Sequence, residues 1–83
     1  MTPADLLRAV GEALYGQRWV SDMSHALGFG ERQIRRWAAG EYEPPPSVWN
    51  DLAAICATRA ESLYSLRAPL YDAARAGRFW SHG

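Results

Sequence analysis

The chain contains no lysine: its nine basic side chains are all arginine, they are matched by nine acids, and the formal net charge is zero. That balance argues against a polycation that coats nucleic acid over its whole surface, though it leaves room for a local basic patch. With Cys56 as the single cysteine, an internal disulfide is excluded. Cys56 falls on a helical apolar stripe and reads as a small buried hydrophobe. No apolar run approaches the roughly 18 residues that a membrane span needs. The first residues lack a basic region followed by a long apolar stretch, so no secretory signal is expected and the expected location is cytoplasmic. The two histidines, His25 and His82, have no cysteine or carboxylate partners at ligand spacing, and no metal site is expected. There is no glycine-flanked nucleophile, no organised carboxylate pair and no phosphate-cradling loop, so neither an enzyme nor a cofactor is expected. Strand-like alternation and internal repeats are missing too, which leaves an all-α chain.

What remains is ample for one folded unit. The 83 residues suit a single domain with one modest core, and a hydrophobic fraction of 48% belongs to folded rather than disordered chains. Thr2-Pro3-Ala4-Asp5 is a helix opening: Thr2 can cap, Pro3 suits the first helical position, and Asp5 sets its charge against the helix N-terminus. Leu6, Leu7, Val10 and Leu14 follow at helical spacing and predict a helix over 3–15. Gly11 weakens it by about 1 kcal/mol relative to alanine, and Gly16 closes it. Tyr15 and Trp19 straddle the turn and are expected to fix the angle to the next helix.

The stretch from Arg18 to Gly40 organises the rest. A step of about 100° per residue puts Trp19, Val20, Met23, Ala26 and Leu27 on one side of a helix over 19–27, with Ser21, Asp22, Ser24 and His25 opposite. Gly28 sits where a left-handed residue would end that helix. A second helix over 31–39 points Ile34, Trp37 and Ala38 one way and Arg32, Arg35 and Arg36 the other, and Gly40 ends it. Four arginines against Asp22 and Glu31 give this stretch a local excess of two positive charges. Two short helices around a glycine turn, the second with a dry back and an arginine-rich front, match the architecture that reads DNA in the major groove.

Downstream, Glu41 to Pro46 is a loop with three consecutive prolines. Ser47 is expected to cap a fourth helix over 48–66, with Asp51 in its first turn. Val48, Leu52, Ile55, Cys56, Leu63 and Leu66 form its apolar stripe, interrupted by Arg59. Pro69 breaks the pattern and predicts a short fifth helix over 70–76, ended by Gly77.

Arginine forks onto guanine O6 and N7 or pairs with phosphate, and glutamine can bond adenine bidentately. Arg32, Gln33 and Arg36 are therefore the candidates for base edges, with Arg35 going to base or backbone. Glu31 either accepts from a cytosine amino group or complements the helix dipole. Gln17, Arg18 and Ser21 are candidates for phosphate contacts, and Tyr42 is a further candidate to flank the groove with Arg18. Tyr64, Tyr71, Phe79 and Trp80 are hard to bury in so small a domain, and they are candidates for a dimer interface or for plain intramolecular packing.

The run resembles the helix-turn-helix of the phage repressor and Cro family, the XRE-like class. That family carries a small residue four before a turn glycine, an aliphatic residue six after it and a core residue three further on; here these are Ser24, Gly28, Ile34 and Trp37. The likeness covers about residues 5–65. It departs at Ser24, usually alanine, at Gly30, where a serine or threonine cap is common, and at Val20, where a glutamine often contacts phosphate. The resemblance implies a compact four- to five-helix, lambda-repressor-like domain of bacterial or phage origin. It also implies a homodimer bound to double-stranded DNA at a palindromic operator, acting as a small repressor, possible contexts being phage, antitoxin or anti-CRISPR-associated regulation. The competing expectation is a protein-interaction adaptor or antitoxin module that keeps this fold without reading DNA.

Overall fold

The computed structural model describes residues 1–77, and among them every regular element is helical. In chain order these are α1 (Pro3–Tyr15), a 3-10 turn (Gly16–Arg18), α2 (Trp19–Leu27), α3 (Glu31–Ala38), α4 (Pro46–Ser65) and α5 (Arg67–Ala76). The expected dimer-interface residues Phe79 and Trp80, and His82, lie outside the described residues.

Helix α1 begins on a reciprocal cap. The Asp5 amide donates to Thr2 Oγ1 at 3.1 Å, and the Thr2 amide donates back to Asp5 Oδ2 at 3.3 Å, which satisfies two amides that have no partner within the helix. The Thr2 hydroxyl and the Thr2 amide, with the Arg8 guanidinium beside it, hold the Asp5 carboxyl below the usual carboxylate range. Leu7 and Gly11 are the buried positions of α1, whereas Leu6, expected inside, is exposed. Gly11 does more than weaken the helix. A Cβ built on it would stand 2.3 Å from Trp19 Cε3, so the indole packs directly on the bare backbone.

Helices α1, α2 and α3 each pack against the other two. Their shared core is Leu7, Trp19, Met23, Ile34 and Trp37, closed by Val48 and Leu52 from the start of α4. Burying each such side chain is worth about 1.5–3 kcal/mol. Ala26, expected on the inner face of α2, is exposed, and Cys56 is half-buried rather than buried.

Past Leu52 the architecture departs from the compact four- to five-helix domain implied by resemblance. Only three helices and the first turns of α4 build the packed body. From Ala57 to Tyr71 every residue of α4 and α5 is exposed. The described residues measure 52 × 25 × 25 Å with a radius of gyration of 17.1 Å, against about 12 Å for a compact chain of this length. We refer to residues 57–76 as the arm.

Two helix boundaries differ from expectation because proline fits a first turn. Pro46 opens α4 at its first position, so Ser47 lies inside the helix rather than capping it, and Asp51 falls beyond the first turn. Pro69 lies inside the first turn of α5 instead of preceding it. Its missing amide would have bonded the carbonyl of Ser65, which is where α4 ends; at a helix start that amide has no intrahelical partner anyway. Leu66 alone separates the two helices.

Candidate nucleic-acid interface

Helices α2 and α3 keep the expected bounds, α2 to the residue and α3 shorter by one. Gly28 follows α2 in a left-handed conformation (φ 78°, ψ 16°), and its amide bonds the Ser24 carbonyl. The connection is then braced twice. Ser24 Oγ donates to the Phe29 carbonyl at 2.5 Å, and the Phe29 ring meets Trp37 edge-on with centroids 4.9 Å apart. Ser24, a departure from the alanine of the resembled motif, thus ties the turn to α2 through its hydroxyl. Phe29 ties the same turn to the back of α3.

The far end of α3 is fixed as firmly. The Gly40 amide bonds Trp37 O at 3.1 Å and the Glu41 amide bonds Arg36 O at 3.1 Å, with Gly40 at φ 80°. This paired closure satisfies two of the last carbonyls. Arg8 of α1 donates to a third, the carbonyl of Ala38, while its other nitrogen pairs with Asp5. Ile34 and Trp37 are buried beneath, so an eight-residue helix is held at its back and at both ends.

That anchoring leaves one face outward. Arg32, Arg35 and Arg36 are exposed and Gln33 is half-buried. The three arginines do not have equal freedom. Arg35 Nη2 pairs with Glu31 Oε1 at 2.9 Å, one turn back, which supports the helix by about 0.3–0.5 kcal/mol and gives both side chains a local partner. Arg32 and Arg36, also one turn apart, make no ion pair among the described residues, so their guanidinium donors face solvent. Gly30, the residue before α3, supplies no side-chain cap.

The phosphate candidates lie against one flank of this face. Gln17 and Arg18 come from the 3-10 turn and Ser21 from the first turn of α2. With Val20, Glu31 and Arg35 they line a shallow depression of about 380 Å³. Residues distant in sequence are thereby brought together at the junction of α2 and α3. Arg32, Gln33 and Arg36 do not line it. Tyr42, the further candidate to flank the groove, lines a separate depression with Thr2, Asp5, Arg8 and Trp37.

Three contributors escaped the reading of sequence: Phe29, Arg8 and Gly11. None reaches the outer face of α3; Phe29 and Arg8 fix how that face is held, and Gly11 seats Trp19 against α1. An aromatic beside a turn glycine is the one available signal for Phe29. Nothing local in sequence signals that Arg8 reaches α3. Among the described residues no helix is long and apolar enough to cross a membrane. Comparison of the chain with family models, with curated proteins and with solved structures finds no match.

Proposed function

We propose that this chain is a sequence-specific DNA-binding transcriptional regulator of the helix-turn-helix, repressor-like class, acting as a small dimeric repressor with α3 in the major groove. The observation that carries the reading is the asymmetry of α3. Arg32 and Arg36 stand exposed one turn apart on a helix whose opposite face is anchored by Ile34 and Trp37. A rigid back and a front of long, unpaired, forked donors is what base-edge recognition requires.

In this reading Arg32, Gln33 and Arg36 contact base edges. Arg35, steered by Glu31, contacts base or backbone at the flank. Gln17, Arg18 and Ser21 contact phosphate from the depression beside α3 and set the register. Two copies place their α3 helices in successive major grooves about 34 Å apart on an inverted repeat, and occupancy represses by excluding polymerase. Binding weakens steeply with salt because each neutralised phosphate releases counterions.

The test is selection of bound duplexes from a random DNA pool, run beside a variant carrying Arg32→Ala and Arg36→Ala. Enrichment of an inverted repeat that disappears in the variant supports the whole reading. One unrepeated motif keeps DNA reading and removes the symmetric dimer. No enrichment from the folded protein at low salt overturns it. The exposed arm favours a second reading, a protein-interaction module without DNA. Partner binding that tolerates loss of Arg32 and Arg36 and responds weakly to salt is the result that would select it.

A further inference from the structure

The apolar stripe of α4 meets two fates. Val48 and Leu52 are buried in the core and Ile55 packs against it. Carried onward at about 100° per residue, the same stripe passes through Leu63, Leu66 and Leu70, yet these are 61%, 52% and 65% exposed. Tyr64 and Tyr71 flank them, also exposed. The Arg67 guanidinium lies 4.8 Å from the Tyr64 ring centroid, and Tyr64, Arg67, Ala68 and Tyr71 line one shallow depression. The surface is therefore continuous across the break at Leu66. Beyond Arg59, which donates to the Leu14 carbonyl at 3.2 Å, the arm makes no hydrogen bond to the packed body among the described residues.

We propose that this arm is the seam of a homodimer, with a second copy lying antiparallel along it about a two-fold axis near Leu66. The proposal rests on the two-copy reading above and assigns its interface.

Three observations select a second copy as the occupant. The first is area. The two tyrosines and three leucines together expose about 500 Å² per chain, the size of the largest apolar patches found on monomers, which often mark interaction surfaces. Full coverage of these groups in two copies would bury about 1,000 Å², the lower bound for a specific interface. The second is charge. The arm carries Arg59, Arg67 and Arg75 against Glu61 and Asp72, and Asp72 is already paired with Arg75. With neither sign dominant, a second copy meets no opposing field, whereas a strongly charged partner finds no complement. The third is register. Leu63 lies three residues before Leu66 and Leu70 four after, so antiparallel pairing about Leu66 sets Leu66 against its own counterpart and brings Leu63 within one residue of the partner's Leu70. A helix standing clear of the body gains little from tertiary packing by itself; pairing supplies it.

The experiment is the mass of the full chain in solution without DNA, by light scattering at micromolar concentrations. Twice the 9.3 kDa chain mass is expected, falling to one chain in a variant with Leu66→Glu and Leu70→Glu. Both side chains lie outside the core, so thermal unfolding of the variant shows that the body is intact. In a Cys56→Ser background, Leu66→Cys is expected to give an interchain disulfide under mild oxidation, and Tyr42→Cys none. A monomer across the concentration range, or a dimer untouched by the two glutamates, overturns the proposal. Neither result bears on DNA reading, which the duplex selection tests through Arg32 and Arg36. A dimer that selects no duplex sinks the DNA reading and leaves the arm assignment standing.

Discussion

The packed body and the arm are both helical and both carry an apolar stripe, yet they solve the same physical problem differently. In the body three short helices cover one another, and no large side chain on the inner face is left without cover. None of them is long enough to persist alone in water, so their order comes from the shared core. The arm inherits its phase from α4, whose first turns are gripped by that core, and then runs out of protein to pack against. The comparison shows that a helical period announces a face and leaves open what covers it. In the body the cover is the neighbouring helix; in the arm it is proposed to be a second chain.

The sharpest way to break this comparison is to remove equivalent apolar mass from each region. Trp37→Ala is expected to cost about 3–5 kcal/mol in denaturant unfolding, because the indole is 2% exposed beneath α3. Leu70→Ala, measured where the chain is monomeric, is expected to change stability by less than about 0.5 kcal/mol. Similar losses at the two sites would erase the distinction between body and arm.

A smaller effect comes from Gly11. Helix propensity alone predicts that Gly11→Ala stabilises α1 by about 1 kcal/mol. The Trp19 indole occupies the space a Cβ needs, so the substitution is expected instead to destabilise by about 1–3 kcal/mol. The sign of the change in melting temperature decides between them.

Ser24→Ala restores the residue usual in the resembled motif and deletes the hydroxyl bond to Phe29. A loss of about 0.5–1.5 kcal/mol is expected, together with faster amide exchange in the turn at 28–30. A stabilised variant would mean that the hydroxyl contributes nothing to the connection.

The smallest effect is the pH response of the α1 start. Since Asp5 titrates lower when folded than when unfolded, its contribution is complete above the ordinary carboxylate range and is lost as pH falls through and below that range. Asp5→Asn is expected to lower the neutral-pH melting temperature slightly and to flatten the acid limb, so that the two proteins converge at low pH. An equal slope in both proteins would remove Asp5 from the acid response.

Much of the body was legible in sequence because its signals are local. Thr2, Pro3 and Asp5 start α1 through bonds spanning three residues. Gly28 and Gly40 end α2 and α3 because only glycine enters the left-handed region without strain. The inward set of α3, Ile34 with Trp37, follows from period alone. Where sequence misled, an ambiguous local signal was settled by distant packing. Leu6 and Ala26 sit at the edge of their apolar arcs, and the placement of neighbouring helices left both outside. Ser47 looked like a cap because proline was read as a breaker, whereas a proline in a first turn loses no bond. The candidate site divides the same way. The arginine face was visible in the spacing of 32, 35 and 36, while the depression joining Gln17, Arg18 and Ser21 to Glu31 and Arg35 depends on how α2 crosses α3.

By itself, then, the sequence determined the helical elements, the glycine closures and which side of α3 carries arginine, since each depends on bonds and periods within a few residues. The tertiary structure alone decided that Trp19 rests on Gly11, that Arg8 closes α3, and that the stripe of α4 leaves the core beyond Ile55. Those outcomes depend on which surfaces meet in space, and a period along the chain carries no information about where the neighbouring helix ends.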